Sequence, residues 1–188
     1  GGEILLGRIV YGDLLSTPED TNHVGRVYRV YDGAGVATTL EFDFKGNALE
    51  EQRQLVLDQT TQPDWSDLLG ESTIAAMTAA VSSLLDSETF SASSQRDALN
   101  RVLVAISPDD SQVLYTYDEG GALQKVEVKH RGSSTAQTVV GDITYNARGQ
   151  RESVTYGSTG SPTTITTYEY DPQTFRLSRL TTERDSDS

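Results

Sequence analysis

The side chains able to do chemistry in this sequence are sparse and scattered. General acid–base catalysis draws on histidine most often, and there are two, His23 beside Asn22 and His130 beside Arg131. Both lie in polar stretches with the character of a loop or a strand edge, so each reads as a solvated surface histidine and not as a base or a metal ligand. A hydrolase built on a serine nucleophile often carries a Gly-x-Ser-x-Gly elbow, which this chain lacks. Glycoside hydrolysis needs two carboxyl groups facing each other across a cleft, but Asp109-Asp110 and Glu50-Glu51 are adjacent and in a strand would point to opposite faces, and Ser107 to Ser111 reads more simply as a hairpin loop. Gly33-Ala34-Gly35 is not followed by the third glycine of a dinucleotide fingerprint, and it runs into a strand where a helix should open. Cysteine is absent, which removes thiolate catalysis, disulfides and cysteine-held metals. Trp65, next to Pro63 and Asp64, could stack on a sugar, yet a lone tryptophan in a mixed loop reads more simply as a plug over apolar surface. The expectation is therefore no enzyme activity, no cofactor and no metal.

What does recur is a pentad: an aromatic residue, Asp or Asn, two variable residues, then Gly. It stands at Tyr31-Asp32-Gly33-Ala34-Gly35, Phe42-Asp43-Phe44-Lys45-Gly46, Tyr117-Asp118-Glu119-Gly120-Gly121 and Tyr145-Asn146-Ala147-Arg148-Gly149. Arg96-Asp97-Ala98-Leu99-Asn100 drops the aromatic, and Tyr170-Asp171-Pro172-Gln173-Thr174 drops the glycine. The local physics is that of a turn. The Asp or Asn side chain accepts backbone N–H bonds, and Gly at the fourth turn position tolerates the positive φ that follows a type I turn in a hairpin. Asn100 can substitute for glycine there, and Pro172 has the fixed φ that the second turn position needs. The aromatic is then the last residue of the incoming strand, its ring packed on a neighbouring hairpin. The repeated carboxylates are accordingly turn-makers; they lack the spacing of a calcium loop.

Strands must hold these turns, and the alternation between them has period two. Leu40, Phe42 and Phe44 oppose Thr39, Glu41 and Asp43; Val113, Tyr115 and Tyr117 oppose Leu114, Thr116 and Asp118; Val126 and Val128 alternate with Lys125, Glu127 and Lys129. One face is expected to be core and the other wet. The pentads begin at residues 31, 42, 96, 117, 145 and 170, and the later spacings suit one hairpin each, while the long gap after residue 42 demands an insertion. The period changes there: Ile74, Met77, Val81, Leu84 and Leu85 form one helical stripe, with Ser72 as N-cap and Asp86 at the C-terminal end. The expected organisation is a β-sheet segment over residues 1–182, strands drawn from 1–62 and 90–182, a helical insertion at about 63–89, and a disordered tail at 183–188. Gly1-Gly2-Glu3 runs straight into a strand-like Ile4 to Tyr11 with no basic leader, as in a piece of a longer chain.

The chain has 188 residues and a formal net charge of −13, so its field repels phosphate backbones and anionic lipid surfaces. Nucleic acid is not an expected partner, and no stretch approaches a membrane span. The pentads, together with Gly25 to Asp32 running into Phe42 to Asn47, Pro63-Asp64-Trp65, Asp97 to Arg101 and Tyr170 to Leu177, resemble the YD-repeat family, also called Rhs repeats, and within it the repeat region of SpvB-like and Tc-type insecticidal toxin B components. The resemblance covers most of residues 25–182. It implies a mainly β fold, a curved antiparallel sheet of consecutive hairpins forming part of a hollow shell, with one inserted α-helix. It also implies a secreted or extracellular toxin-type protein whose shell encloses a toxic C-terminal polypeptide, with neighbouring repeats of the same parent chain or a companion toxin component as partners. The alternative is a cell-surface adhesion or carbohydrate-binding YD-repeat module.

Overall fold

Runs of β-branched and aromatic residues alternating with polar ones pair with whatever run follows them, because a short turn leaves an antiparallel neighbour as the nearest partner. The computed structural model, which describes residues 3–158 and 163–184, is mainly β with twelve strands and one α-helix among those residues. The strands fall in two compact units, Gly1–Ser94 and Gln95–Ser188.

The first unit contains β1 (Arg8–Tyr11), β2 (Val27–Asp32), β3 (Gly35–Phe42), β4 (Ala48–Val56) and most of β5 (Leu85–Arg96). Each pairs antiparallel with the next, in registers such as Arg8 opposite Tyr31, Tyr31 opposite Val36 and Arg53 opposite Phe90. Between β4 and β5 the chain leaves the sheet through a 3₁₀ turn at Ser66–Leu68, the helix α1 (Ile74–Ala80) and a second 3₁₀ turn at Ser82–Leu84. This excursion closes the core: Trp65, Leu68, Met77, Val81 and Leu85 pack with Val10, Tyr31, Val36 and Val56.

The helix is shorter than its apolar stripe suggested. Thr73, not Ser72, caps it, its hydroxyl accepting from the Ala76 amide at 3.2 Å. Hydroxyl side chains then turn back on the helix carbonyls, Thr78 to Ile74 at 2.9 Å and Ser82 to Ala79 at 2.9 Å, and such bonds compete with helix continuation. β5 begins at Leu85 and not near residue 90, and Asp86 belongs to that strand, where its carbonyl accepts from Gln54 Nε2 at 2.6 Å. The unfavourable helix-end charge expected at Asp86 therefore does not arise.

The second unit is a simple succession of β6 (Val102–Ile106), β7 (Gln112–Tyr117), β8 (Leu123–Lys129), β9 (Gln137–Tyr145), β10 (Arg151–Tyr156), β11 (Thr164–Tyr170) and β12 (Leu177–Arg184), each antiparallel to its successor. One cross-strand row carries its most enclosed side chains: Ile143 faces Val154, which faces Thr166, which faces Thr182. The two threonine hydroxyls bond at 2.9 Å. Glu183 and Arg184, assigned from the sequence to a disordered tail, extend β12 because Ile165 and Thr164 lie opposite them. The remainder of that tail, 185–188, lies outside the described residues. The expectation of a mainly β, antiparallel fold with one inserted helix is borne out.

Met77 is 1% exposed and packs in the core of the first unit. Replacing it with alanine is expected to lower that unit's stability by about 2–5 kcal/mol, whereas the exposed Ala75→Lys should change it by less than about 0.5 kcal/mol. Urea denaturation followed by fluorescence of Trp65, the single tryptophan, measures both.

Candidate functional site

Reversing a strand in a few residues strands backbone amides that the ladder cannot reach, and each must find an acceptor. Four of the turns solve this identically. At Asp43, Asp97, Asp118 and Asn146 the residue's own N–H donates to the carbonyl four positions on, at 2.9, 3.0, 2.9 and 2.9 Å, and its carbonyl accepts from the amide three positions on. Oδ1 then accepts the amide of the residue that resumes the ladder: Asn47 at 2.9 Å, Arg101 at 2.9 Å, Ala122 at 2.7 Å and Gln150 at 3.1 Å. The residue before it carries the positive φ, 96° at Gly46, 73° at Asn100, 88° at Gly121 and 75° at Gly149, as a type I turn with a following bulge requires.

Two pentads depart from this plan. Asp32 faces Gly35 directly across a two-residue loop, Oδ1 accepting from the Ala34 and Gly35 amides at 2.8 and 3.1 Å. Gly35 is required there by space as well as by its φ of 137°, since a Cβ would stand 2.1 Å from the Gln54 carbonyl oxygen. Asp32 also meets Arg53 at 2.5 and 2.9 Å, and its carbonyl accepts from the buried Trp65 indole at 3.1 Å. At Asp171 the turn is one residue longer: the Phe175 amide donates to the Asp171 carbonyl at 2.8 Å, and Phe175, not Thr174, takes the left-handed position at φ 58°. Arg148 lies over its ring with the guanidinium carbon 3.4 Å from the centroid.

One turn escaped the sequence pattern. Ser107 to Ser111, read only as a hairpin loop, has the same backbone bonds as the four, with Ser107 in the aspartate's place and Asp110 at φ 64° in the glycine's. Pro108 at the second turn position was the available signal.

The aromatic positions tie each repeat to its predecessor. In the second unit the Tyr117 hydroxyl donates to the Val102 carbonyl at 2.8 Å, Tyr145 to Leu123 at 2.7 Å and Tyr170 to Arg151 at 2.9 Å. Each acceptor is the first residue of the strand leaving the preceding Asp or Asn turn. Arg101 adds a stack over Tyr117, 4.5 Å from its centroid. In the first unit the tyrosine position differs: Tyr31 is buried edge-on to Trp65, with 5.4 Å between centroids, and Phe42, having no hydroxyl, packs against His23 at 5.0 Å.

His23 corrects the surface reading. It is fully buried, with Nδ1 2.7 Å from the Thr21 hydroxyl and Nε2 2.9 Å from the Thr39 carbonyl. A carbonyl only accepts, so Nε2 carries the proton. Its polar neighbours in sequence disguised this, because Asn22 is spent on the turn itself, donating to the Phe42 carbonyl at 2.8 Å. His130 is exposed.

Hydrogen bonds of this kind lower the pKa of several loop aspartates. Asn47 holds Asp43 below the ordinary carboxyl range, the Arg101 amide does so for Asp97, the Thr174 amide for Asp171 and the Ser111 hydroxyl for Asp109. The Arg53 guanidinium lowers Asp32, and the Thr60 hydroxyl brings Asp58 to about 2. Each carboxylate is occupied as an acceptor within its own loop, and among the described residues no three acidic, histidine or cysteine groups converge as a metal site. The site is thus a ladder of latched turns suited to holding strands in register.

No family model matches the chain. In sequence it is homologous to two curated proteins of Yersinia entomophaga: toxin subunit YenC2, 29% identical over 178 residues, and toxin subunit YenC1, 26% identical over 182 residues. These alignments take in 93% and 97% of this chain but 17% of each relative. Among solved structures, the crystal structure of TcdB2-TccC3-TEV superimposes with a TM-score of 0.86 and 26% identity, covering 100% of this chain and 8% of that one. The Photorhabdus luminescens Tc holotoxin pore with the mutation TccC3-D651A gives 0.85 and 25%, covering 98% and 8%. The resemblance to Tc-type toxin components read from the sequence is borne out.

Removing one latch, Tyr145→Phe, should cost about 0.5–1.5 kcal/mol in urea denaturation, the net value of one hydrogen bond. The acid response should be specific to the turn. A carboxylate whose folded pKa is lowered contributes stability in full above the unfolded pKa of about 3.9 and loses it as pH falls through the folded pKa. In an NMR titration the Arg101 amide, bound to Asp97, should therefore shift as the pH drops below about 4, while the Gln150 amide, bound to the non-titrating Asn146, should stay.

Proposed function

We propose that the chain is a structural segment of a secreted toxin-type protein, forming part of a hollow β-shell that encloses a toxic C-terminal polypeptide, and that it performs no catalysis. The observation that carries this reading is the likeness to Tc toxin chains over nearly the whole of this sequence, joined to a repeat whose functional groups are spent on one another. Asp and Asn oxygens close the turns and tyrosine hydroxyls bridge the hairpins, which gives a sheet that can be lengthened repeat by repeat. The chain spans about 17% of the length of the curated relatives it matches, so the shell would be completed by neighbouring repeats of the same parent chain or by a companion toxin component. The net charge of −13 argues against nucleic acid as a partner, and no helix among the described residues is long and apolar enough to cross a membrane.

Limited proteolysis of the full-length protein that carries this segment tests the proposal. The C-terminal polypeptide should resist digestion in the native protein and become cleavable when Tyr117, Tyr145 and Tyr170 are all changed to phenylalanine. A C-terminal polypeptide digested equally fast before and after the change would overturn the shell reading.

A further inference from the structure

Between α1 and the sheet of the first unit lies a cavity of about 50 Å³ whose polar lining is Arg29, Thr38, Gln52, Gln54 and Thr78, with Val81 among its apolar walls. A single water needs only about 10–15 Å³ of such volume, so the space admits a larger polar guest. Arg29 is half-buried, and its hydrogen-bond partners among the described residues are hydroxyls: Thr38 at 3.1 Å from Nε, Thr78 at 2.8 Å and Tyr31 at 3.3 Å from Nη1, and Tyr28 at 3.5 Å from Nη2. Tyr28 also offers its ring face, 5.2 Å from the guanidinium carbon. Elsewhere in this acidic chain, Arg53 and Arg101 are each matched by a carboxylate, Asp32 and Asp97. Among the described residues Arg29 has no ion-pair partner, although a cation withdrawn from water is ordinarily compensated by an anion.

The donor arrangement specifies what would compensate it. Of five guanidinium N–H groups four are engaged, which leaves one on Nη2. The tyrosine hydroxyls that accept from Arg29 keep their own protons to donate. Thr78, which is exposed, stands at the rim where a guest can enter. We propose that this cavity binds one carboxylate group, received by Arg29 Nη2 and the Tyr31 hydroxyl. A carboxylate offers one acceptor oxygen to each of these two donors, and the volume leaves little room for more than its head. The carboxylate comes either from a small free acid or from an acidic side chain presented by an adjoining segment.

The test is an NMR titration of the 188-residue chain at constant ionic strength and pH 7, reading the Arg29 Nε–H and Thr78 amide signals. The probes are sodium formate, the capped tripeptide Gly-Glu-Gly, its Gly-Gln-Gly counterpart, and sodium chloride. Saturable shifts with formate, weakened roughly tenfold in Arg29→Lys and lost in Arg29→Gln, support the site. Tighter binding of the glutamate peptide than of formate, with the glutamine peptide inert, assigns the guest as a side chain; the reverse order assigns a free acid. Thr78→Val, at the exposed rim, should weaken binding with the rest of the spectrum unchanged, which separates loss of the site from loss of the fold. Shifts that never saturate, that chloride reproduces, or that persist in Arg29→Gln overturn the proposal.

Discussion

The constraint on which this architecture depends is the amide that each strand reversal leaves facing inward with no ladder partner. A carboxylate or carboxamide oxygen one side-chain carbon from the backbone is short enough to reach it without leaving the turn, and glutamate or glutamine would overshoot. That is why Asp or Asn stands at positions 43, 97, 118 and 146, and why the residue three places later must accept a positive φ. Once the reversal is fixed, the register of the two flanking strands follows, and with it the face on which every side chain sits.

Register in turn decides which groups can meet across repeats. A slip of one residue would carry Tyr117, Tyr145 and Tyr170 to the opposite face and strand the carbonyls of Val102, Leu123 and Arg151. Turn and latch therefore enforce each other, and this reciprocity substitutes for a deep core in the second unit, where Ile143, Val154 and Thr166 are the enclosed residues named among those described. The first unit uses another means. Its helical excursion supplies Trp65, Met77 and Val81 as a conventional apolar core, and its aromatic positions give up hydroxyl bonding for packing.

Much of this could be read in the sequence because the information is local. Period-two alternation and the Asp-to-Gly spacing are short-range signals, and they located the strands and the turns at Asp43, Asp97, Asp118 and Asn146. What stayed hidden depends on distant partners. The burial of His23 is set by Thr39, Tyr28 and Phe42, none of them neighbours in the chain. The helix stripe was legible but its end was not, since Leu85 satisfies the apolar pattern equally well as the first residue of a strand over the same core. The turn at Ser107 was legible as a hairpin loop but not as a copy of the repeated turn, because a serine in the aspartate's place hides the motif while the backbone bonds remain. At Asp171 a single additional residue moved the left-handed position onto Phe175, where the stacked Arg148 guanidinium holds a ring that the backbone angle alone would disfavour.

The latches all point the same way along the chain: each tyrosine closes on a carbonyl that lies earlier in sequence. During synthesis, which delivers the N-terminal side first, a hairpin emerges with that carbonyl still open to water and is sealed only when its successor arrives. The latches therefore overlap like roof tiles laid in one direction, each hairpin sealed by the one that follows it.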